Sequence, residues 1–282
     1  MINSFLKFKT KILRHSPPSV EDIKDSNKIL FAIFTRYGDT IIDLVVIQEF
    51  IERYPDKEYL ILCPRQMTPY VNELLPDIKC LVLNKRNIFD MIKVNSLLKK
   101  RKFDVGFNPW SNGLDSCFFL TYCKKFLCYK DLDKPKIINH YQVVRRYLQL
   151  PVQNWEIREL TLKENYQKIL ICPQSTATDR SISADQLSEI ILNFNQKYKN
   201  PEITIASMNK ANCIDGCSHF YFEKTAQSSQ LFIDLVKESE LIVCADSAPL
   251  HVSLALNKPT IISFKTTTPE KVLNTGACVS YA

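Results

Sequence analysis

Glycine is scarce in this chain: five residues in 282, at positions 38, 106, 113, 216 and 276. Neither a GxGxxG run nor a GxxxxGK[ST] run occurs, so a dinucleotide fingerprint and a P-loop lose their main support. The GxSxG elbow of serine hydrolases is absent as well. Histidine numbers four, which argues against a His-rich metal centre. Ten cysteines include no CxxC pair; Cys213 and Cys217, with His219 near, form only a weak metal-type spacing. Cys63, Cys80, Cys172 and Cys244 sit inside apolar strand-like runs and read as small buried hydrophobes in a reducing compartment. Apolar runs of about 18–20 residues are missing, which excludes a membrane-spanning helix on hydropathy. The opening MINSFLKFKTKILRHSPPS interleaves its apolar residues with Lys7, Lys9, Lys11 and Arg14, unlike a signal peptide.

What the chain does have is length, positive charge and a regular alternation of patterns. Its 282 residues are long for one core and suit two domains. Hydrophobic content of 45% and charged content of 24% are ordinary for a soluble globular protein. A net charge of +7 suits an anionic membrane surface, nucleic acid or a phosphorylated ligand alike and selects none of them. In the arm formed by residues 1–18, Phe5, Leu6, Phe8, Ile12 and Leu13 share one helical face among basic residues. Such an arm either lies on a membrane, or is solvated or packed on its own domain.

Strand patterns fall at Lys28–Phe34, Tyr59–Cys63, Cys80–Leu83 and Phe103–Phe107. Helix patterns lie between them at Thr40–Tyr54, Met67–Leu75 and Phe89–Lys102, and further helices are expected at Phe118–Phe126 and Asn139–Leu150. A polar connection runs from Pro151 to about Asn165, and the pattern restarts. Strands are expected at Lys168–Cys172, Glu202–Ala206, Leu241–Ala245 and Thr260–Phe264, with helices at Ser183–Tyr198, Ser228–Ser239 and after Pro249. Strands alternating with helices at this spacing indicate an α/β protein with parallel sheets covered on both faces. The expected organisation is two Rossmann-like domains, residues 1–160 and 161–282, as two lobes with a central cleft.

The candidate site residues all follow strands. Asp39 comes after the first strand and Gly38, a residue that permits close backbone approach or a positive φ. A carboxylate there either caps the Thr40 helix or accepts a proton from a substrate hydroxyl. Arg36 and Gly38 flank it as acceptor-side candidates, and Asp43, one turn on, either joins it or faces solvent. Arg180 ends a polar loop containing Ser175, Thr176 and Thr178; hydroxyls with a guanidinium suit diphosphate oxygens, and a solvated surface Arg is the alternative. Asp246 and Ser247 follow the strand Leu241–Ala245 as good helix N-caps, with Ala248 and Pro249 opening a helix that carries His251. The start of a helix after a parallel strand favours a bound anion such as phosphate.

These stretches together resemble glycosyltransferase family 9, the lipopolysaccharide heptosyltransferases. FTRYGDTIIDLVVIQEF resembles the family's first strand, turn and helix, which a Gly-Asp pair opens. PQSTATDRSISADQLSEII is similar to its donor-side loop, ADSAPLHVSLALNKPTIISF to its Asp-Ser/Thr-Gly-x-x-His-x-x-x-Ala signature, and TTTPEK to the loop that follows. The resemblance spans about Lys28 to Lys271. It implies a GT-B fold, with an acceptor lobe followed by a nucleotide-sugar lobe. The implied chemistry is inverting, metal-independent and cofactor-free: heptose moves from ADP-heptose to a lipopolysaccharide core acceptor, in the cytoplasm or on the inner membrane surface, with no nucleic acid partner. Carried over by position, Asp39 is the general base and Arg180 stands for the Lys that neutralises the leaving diphosphate. Ser247 with the adjacent amides holds phosphate oxygens, while Asp246 and His251 shape the donor site. Ala248 replaces the signature Gly, Ile182-Ser183 an aromatic-proline pair, and Lys265 a Gly. Little sequence follows TTTPEK to form the return helix that such folds carry. Besides the transferase reading, these departures leave a degenerate GT-B protein that binds without turnover, a transferase for another donor, and a nucleotide-sugar enzyme of the non-hydrolysing epimerase type.

Overall fold

The structure is a computed structural model that describes residues 17–85, 87–109, 118–128, 139–154, 156–208 and 214–281. Residues 1–16 of the expected arm, the Trp110–Asn112 loop and Cys213 lie outside the described residues. The chain divides into two compact units, Met1–Val152 and Gln153–Ala282, each built on its own sheet.

The first unit begins with α1 (Val20–Asp25), which opens on a capping box: the Ser19 hydroxyl accepts the Asp22 N–H, and the Asp22 carboxylate accepts the Ser19 N–H. There follow β1 (Lys28–Ala32), α2 (Tyr37–Arg53), β2 (Glu58–Cys63), α3 (Thr68–Leu74), β3 (Lys79–Val82), α4 (Ile88–Arg101), β4 (Phe103–Asn108), β5 (Cys123–Cys128) and α5 (His140–Tyr147). All strands pair in parallel, in the order β3-β2-β1-β4-β5. The chain therefore starts in the middle, runs outward to β3, and returns past β1 to β4. That reversal puts a crevice beyond the carboxyl ends of β1 and β4.

Period-two alternation along β1 explains why both faces of this sheet are covered. Phe31 meets the ring of Phe50 on α2 edge-on at 5.6 Å between centroids and stacks on Phe107 at 5.8 Å. Phe107 in turn meets Tyr147 of α5. Leu30 and Ala32 point the other way and join Val94 and Leu98 of α4 with Phe118, Phe119 and Leu120. The aromatic side thus fixes α2 against the sheet, with its first turn just past the end of β1. Arg145 of α5, 1% exposed in its side chain, adds a two-pronged ion pair to Glu49 of α2 (Nε–Oε2 2.9 Å, Nη2–Oε1 2.5 Å). Arg145 is thus a buried, paired cation and not a solvated one.

The helix expected over Phe118–Phe126 is corrected. Residues 118–120 form one helical turn, and Cys123–Cys128 is the edge strand β5. Cys123, Phe126, Leu127 and Cys128 are buried while Lys124 is exposed, and Lys124 and Lys125 bind Asp104 and Asp22. Gly106 on β4 lets this strand approach: a Cβ there would lie 2.5 Å from Cys123 Sγ and 2.9 Å from Leu120 Cδ2.

The second unit contains β6 (Arg158–Glu159), β7 (Lys168–Cys172), α6 (Ala184–Lys197), β8 (Glu202–Ser207), β9 (Ser218–Tyr221), α7 (Ala226–Glu238), β10 (Leu241–Ala245), α8 (Ala248–Ala255), β11 (Thr260–Ser263), α9 (Pro269–Val272) and β12 (Cys278–Tyr281). The sheet is again all parallel, in the order β6-β12-β11-β10-β7-β8-β9. Direction reverses between β7 and β10. Ile169, Ile171, Leu241 and Val243 bury one face beneath Leu187 and Ile191 of α6. The stretch after Pro151 contains β6, which pairs with β12, and the second compact unit begins at Gln153.

A carboxylate ties the base of each reversal. Asp104 on β4 accepts the Asn27 and Lys28 N–H groups at the foot of β1 (2.9 and 3.1 Å). Glu240, just before β10, accepts the Gln167 and Lys168 N–H groups at the foot of β7 (2.6 and 3.4 Å).

Candidate functional site

In the first unit the site residues cluster where α2 begins. The helix starts at Tyr37, earlier than the expected Thr40, because Arg36 takes the extended N-cap position and its carbonyl accepts the Thr40 N–H at 2.9 Å. Asp39 is therefore a residue of the first turn and not the cap. Gly38 is helical, and only Gly216 and Gly276 among the described glycines have a positive φ, so Gly38 supplies no left-handed turn. Arg36 is exposed and Asp39 half-buried. Burial pushes the Asp39 carboxyl above its ordinary value, while the charges of His140 on α5 and of Arg36 pull it down. The amide dipoles at the helix start favour its ionised form too.

Asp43 does not face solvent. It is fully buried, and neither carboxylate oxygen has a hydrogen-bond partner among the described residues. Burial first, and the Asp39 charge second, raise its pKa well above the usual carboxylate range. The signal for this lay in its neighbours: Ile41, Ile42 and Leu44 surround it in sequence and are all buried.

In the second unit three loops meet at the carboxyl ends of β7, β10 and β11. Asp246 is their node, 3% exposed. Its Oδ2 accepts from Arg180 Nη1 (3.1 Å) in the β7 loop and from Thr267 Oγ1 (2.5 Å) in the β11 loop. Its main-chain carbonyl accepts from Ser175 Oγ (3.2 Å), and Lys265 Nζ donates to the Ser181 carbonyl (2.6 Å). Thr176 lies between Ser175 and the single 3₁₀ turn Thr178–Arg180. Among the described residues Arg180 is anchored by one nitrogen, Nη1, and its side chain is 38% exposed. Thr267 and Lys265 were not among the residues the sequence singled out as site groups.

Ser247 occupies the N-cap position of α8, yet its hydroxyl caps no amide; it donates to the Ala245 carbonyl at 3.3 Å. The first amides of α8 are thus left without a side-chain cap, the condition under which a helix start binds an anion. Ala248 is the first helical residue and has no positive φ, so its Cβ strains nothing in the backbone. His251 is buried one turn further along α8.

Residues 223–277, from α7 to just short of β12, match the sequence profile of glycosyltransferase family 9 (heptosyltransferase). The chain superposes on E. coli ADP-heptose lps heptosyltransferase II with a TM-score of 0.67, at 14% identity, covering 90% of this chain and 92% of that one. The segment matches family 9, and the fold is that of a heptosyltransferase structure. The E. coli heptosyltransferase WaaC with ADP gives a TM-score of 0.66 at 10% identity, over 90% of this chain and 93% of that one. The family 9 protein of Veillonella parvula gives 0.64 at 14% identity, over 92% and 87%. No curated protein sequence matches the chain. At these identities the likeness is one of fold: the GT-B class with Rossmann-like parallel sheets expected from the sequence. The family 9 segment contains Asp246, Ser247, Ala248, His251, Lys265 and Thr267; Ser175, Thr176, Arg180, Arg36, Gly38 and Asp39 lie outside it.

Two remaining candidates resolve simply. His219 Nε2 accepts the Ile214 N–H at 3.2 Å and is occupied by backbone. Of the four cysteines read as buried, Cys63, Cys172 and Cys244 are buried and Cys80 is half-buried, its Sγ 3.3 Å from Cys63 Sγ. Among the described residues no helix is long and apolar enough to cross a membrane.

Proposed function

We propose that this protein is an inverting glycosyltransferase that moves heptose from ADP-heptose onto a lipopolysaccharide core acceptor. The observation that carries the reading is the Asp246 node: three strand-end loops and an uncapped helix start, at the topological reversal of the sheet, with Asp246, Thr267 and the helix start inside the segment that matches family 9. Such a tip suits a diphosphate, and structures of the same fold are described with ADP and with ADP-2-deoxy-2-fluoro heptose. In the reaction the acceptor oxygen forms a bond to the anomeric carbon as the bond from that carbon to the phosphate oxygen breaks. The acceptor proton goes to the Asp39 carboxylate, with Arg36 and Gly38 on the acceptor side. The electron pair leaves on the diphosphate. Arg180, the amides of Ser247 and Ala248, and the hydroxyls of Ser175 and Thr176 hold that charge, which is where electrostatic stabilisation lowers the barrier. His251 shapes the wall of the donor site from inside α8. Residues 1–18 bring the enzyme to the anionic leaflet that carries its acceptor.

The test is a donor screen with purified lipopolysaccharide core acceptor, read by mass spectrometry, alongside thermal shift with ADP, UDP, GDP and CMP. Transfer of a heptose mass from ADP-heptose, with stabilisation by ADP above the other nucleotides, is the expected result. Stabilisation by ADP without transfer to any core acceptor points to the second reading, a binding protein without turnover, which the engagement of Arg180 by Asp246 favours. Stabilisation by none of the nucleotides overturns both.

A further inference from the structure

Asp39 and Asp43 are separated by four residues on α2, a spacing that puts both on one face of the helix about one turn apart. Their surroundings differ sharply. Asp39 is half-buried in the first turn, with Arg36 ahead of it and His140 of α5 acting on it. Asp43 is 0% exposed, and among the described residues neither of its oxygens has a hydrogen bond and the one charge acting on it is that of Asp39. The other ionisable groups on the helices packed against α2 are His140, Tyr141, Arg145, Arg146 and Tyr147 of α5 and Tyr70 and Glu73 of α3: Arg145 is held by Glu49, Tyr70 meets Tyr37 edge-on, and the charge that acts on Asp43 is that of Asp39. An ionised carboxylate with no partner in an apolar interior costs so much that the group keeps its proton instead.

We propose that the two carboxyls share a single negative charge across neutral pH, the proton resting on Asp43 and the charge on Asp39, and that ionisation of Asp43 sets the alkaline limit of the site. Asp43 is a positioning residue here, since it touches no substrate and acts through Asp39 and the first turns of α2. The division of labour follows from environment: the buried member is the acid, the member with solvent, Arg36 and the helix amides is the base. As pH rises, the second ionisation places an unpaired charge under the start of α2, beside a like charge, and loosens the turn that carries Asp39. The sign follows from linkage. A carboxyl whose folded pKa lies above its unfolded value stabilises the fold fully below the unfolded value and loses that contribution as pH rises toward the folded one. This inference rests on the proposed role of Asp39 for its effect on activity, and does not need it for the titration.

The decisive measurement is a carboxyl ¹³C NMR titration of the full chain, wild type against Asp43→Asn, with pH profiles of unfolding free energy and of sugar transfer. The expected spectrum has one aspartate resonance titrating far above the ordinary range of about 4, absent from the Asn variant. Wild-type stability should fall with rising pH across a window that Asp43→Asn flattens, and the alkaline limb of the transfer profile should move up by about a unit or more in the variant. If Asp43→Asn does not fold, the wild-type titration alone still decides. An Asp43 resonance that titrates in the ordinary range overturns the proposal, and so does an alkaline limb or stability profile identical in the two proteins. Transfer that survives in Asp39→Asn instead removes the base assignment of the proposed function, while the titration continues to report on the shared charge.

Discussion

Arg180 Nη1 lies 3.1 Å from Asp246 Oδ2, so the cation proposed to bind a diphosphate and a buried carboxylate of the segment that matches family 9 hold each other. The same oxygen takes the Thr267 hydroxyl at 2.5 Å. Asp246 is buried, and a hydrogen bond to a charged acceptor contributes about 1.5–3 kcal/mol. Asp246→Ala should therefore lose several kcal/mol of stability in chemical denaturation and abolish nucleotide-induced thermal stabilisation. Thr267→Ala removes one contact and should cost about 1–2 kcal/mol. An Asp246→Ala protein as stable as wild type would show that the three loops are held by something else.

Replacing Asp39 by Asn keeps shape and removes the proposed proton acceptor. Its transfer rate should fall about 10²–10⁴-fold with nucleotide affinity intact, because general bases contribute on that scale and the proposed role of the carboxylate is on the acceptor side. Single-turnover rates and calorimetry with ADP separate the two effects. A fall in ADP affinity equal to the fall in rate would assign Asp39 to donor binding.

Glu49 and Arg145 should respond unequally to mutation. Glu49 is 30% exposed in its side chain and can be solvated when alone; Arg145 is 1% exposed and cannot. Glu49→Ala leaves a buried guanidinium unpaired and should cost about 3–5 kcal/mol. Arg145→Met, which replaces the buried charge with an apolar chain, should cost clearly less, and the double variant should recover most of the Glu49→Ala loss. Urea denaturation of the three proteins measures the difference, and equal costs for the two single variants would contradict it.

Gly106→Ala should destabilise the first unit by about 1–3 kcal/mol, the usual cost of an overpacked methyl group. Its Cβ would meet Cys123 Sγ and Leu120 Cδ2 at less than van der Waals distance. Gly106→Ala with Cys123→Ala removes the nearer clash and should regain part of the loss. Midpoints of denaturant unfolding compare the two.

Much of this was legible in the chain beforehand. Runs such as KILFAIF, KILIC and LIVCA are apolar on both faces, and that is the mark of a strand inside a parallel sheet. The Ser183–Tyr198 helix was expected from its apolar spacing and a Ser at its start, and the structure adds a capping box between Ser183 and Gln186. The short edge strands β6, β9 and β12 were not readable, since strands of two to four residues carry too little pattern to stand out. FFLTYCKKF misled because its apolar residues fit a helical period as well as a strand, and a Gly106 that admits Cys123 is a fact of packing. At the site, Asp246 and Arg180 were each identified from their positions after strands. Their mutual contact was not, because it joins residues 66 apart through the adjacency of β7 and β10. Asp43 was ambiguous for the opposite reason: a carboxylate inside an apolar helix pattern is so costly that solvent exposure is the ordinary expectation.

Asp104 and Glu240 give the two units a common mechanical character. Each fastens the lower ends of the very strands whose upper ends part to make a crevice, so substitutions among the upper loops leave the joint beneath them intact. Burial pushes Asp104 up, but Lys124 and the amides of Asn27 and Lys28 together hold it below its ordinary value; the Gln167 amide leads in doing the same for Glu240. A depressed folded pKa means a contribution present above the unfolded value and surrendered as pH falls through the folded one. Acid therefore loosens each sheet from the end remote from its candidate-site loops, which stand on a joint that neutral water keeps shut.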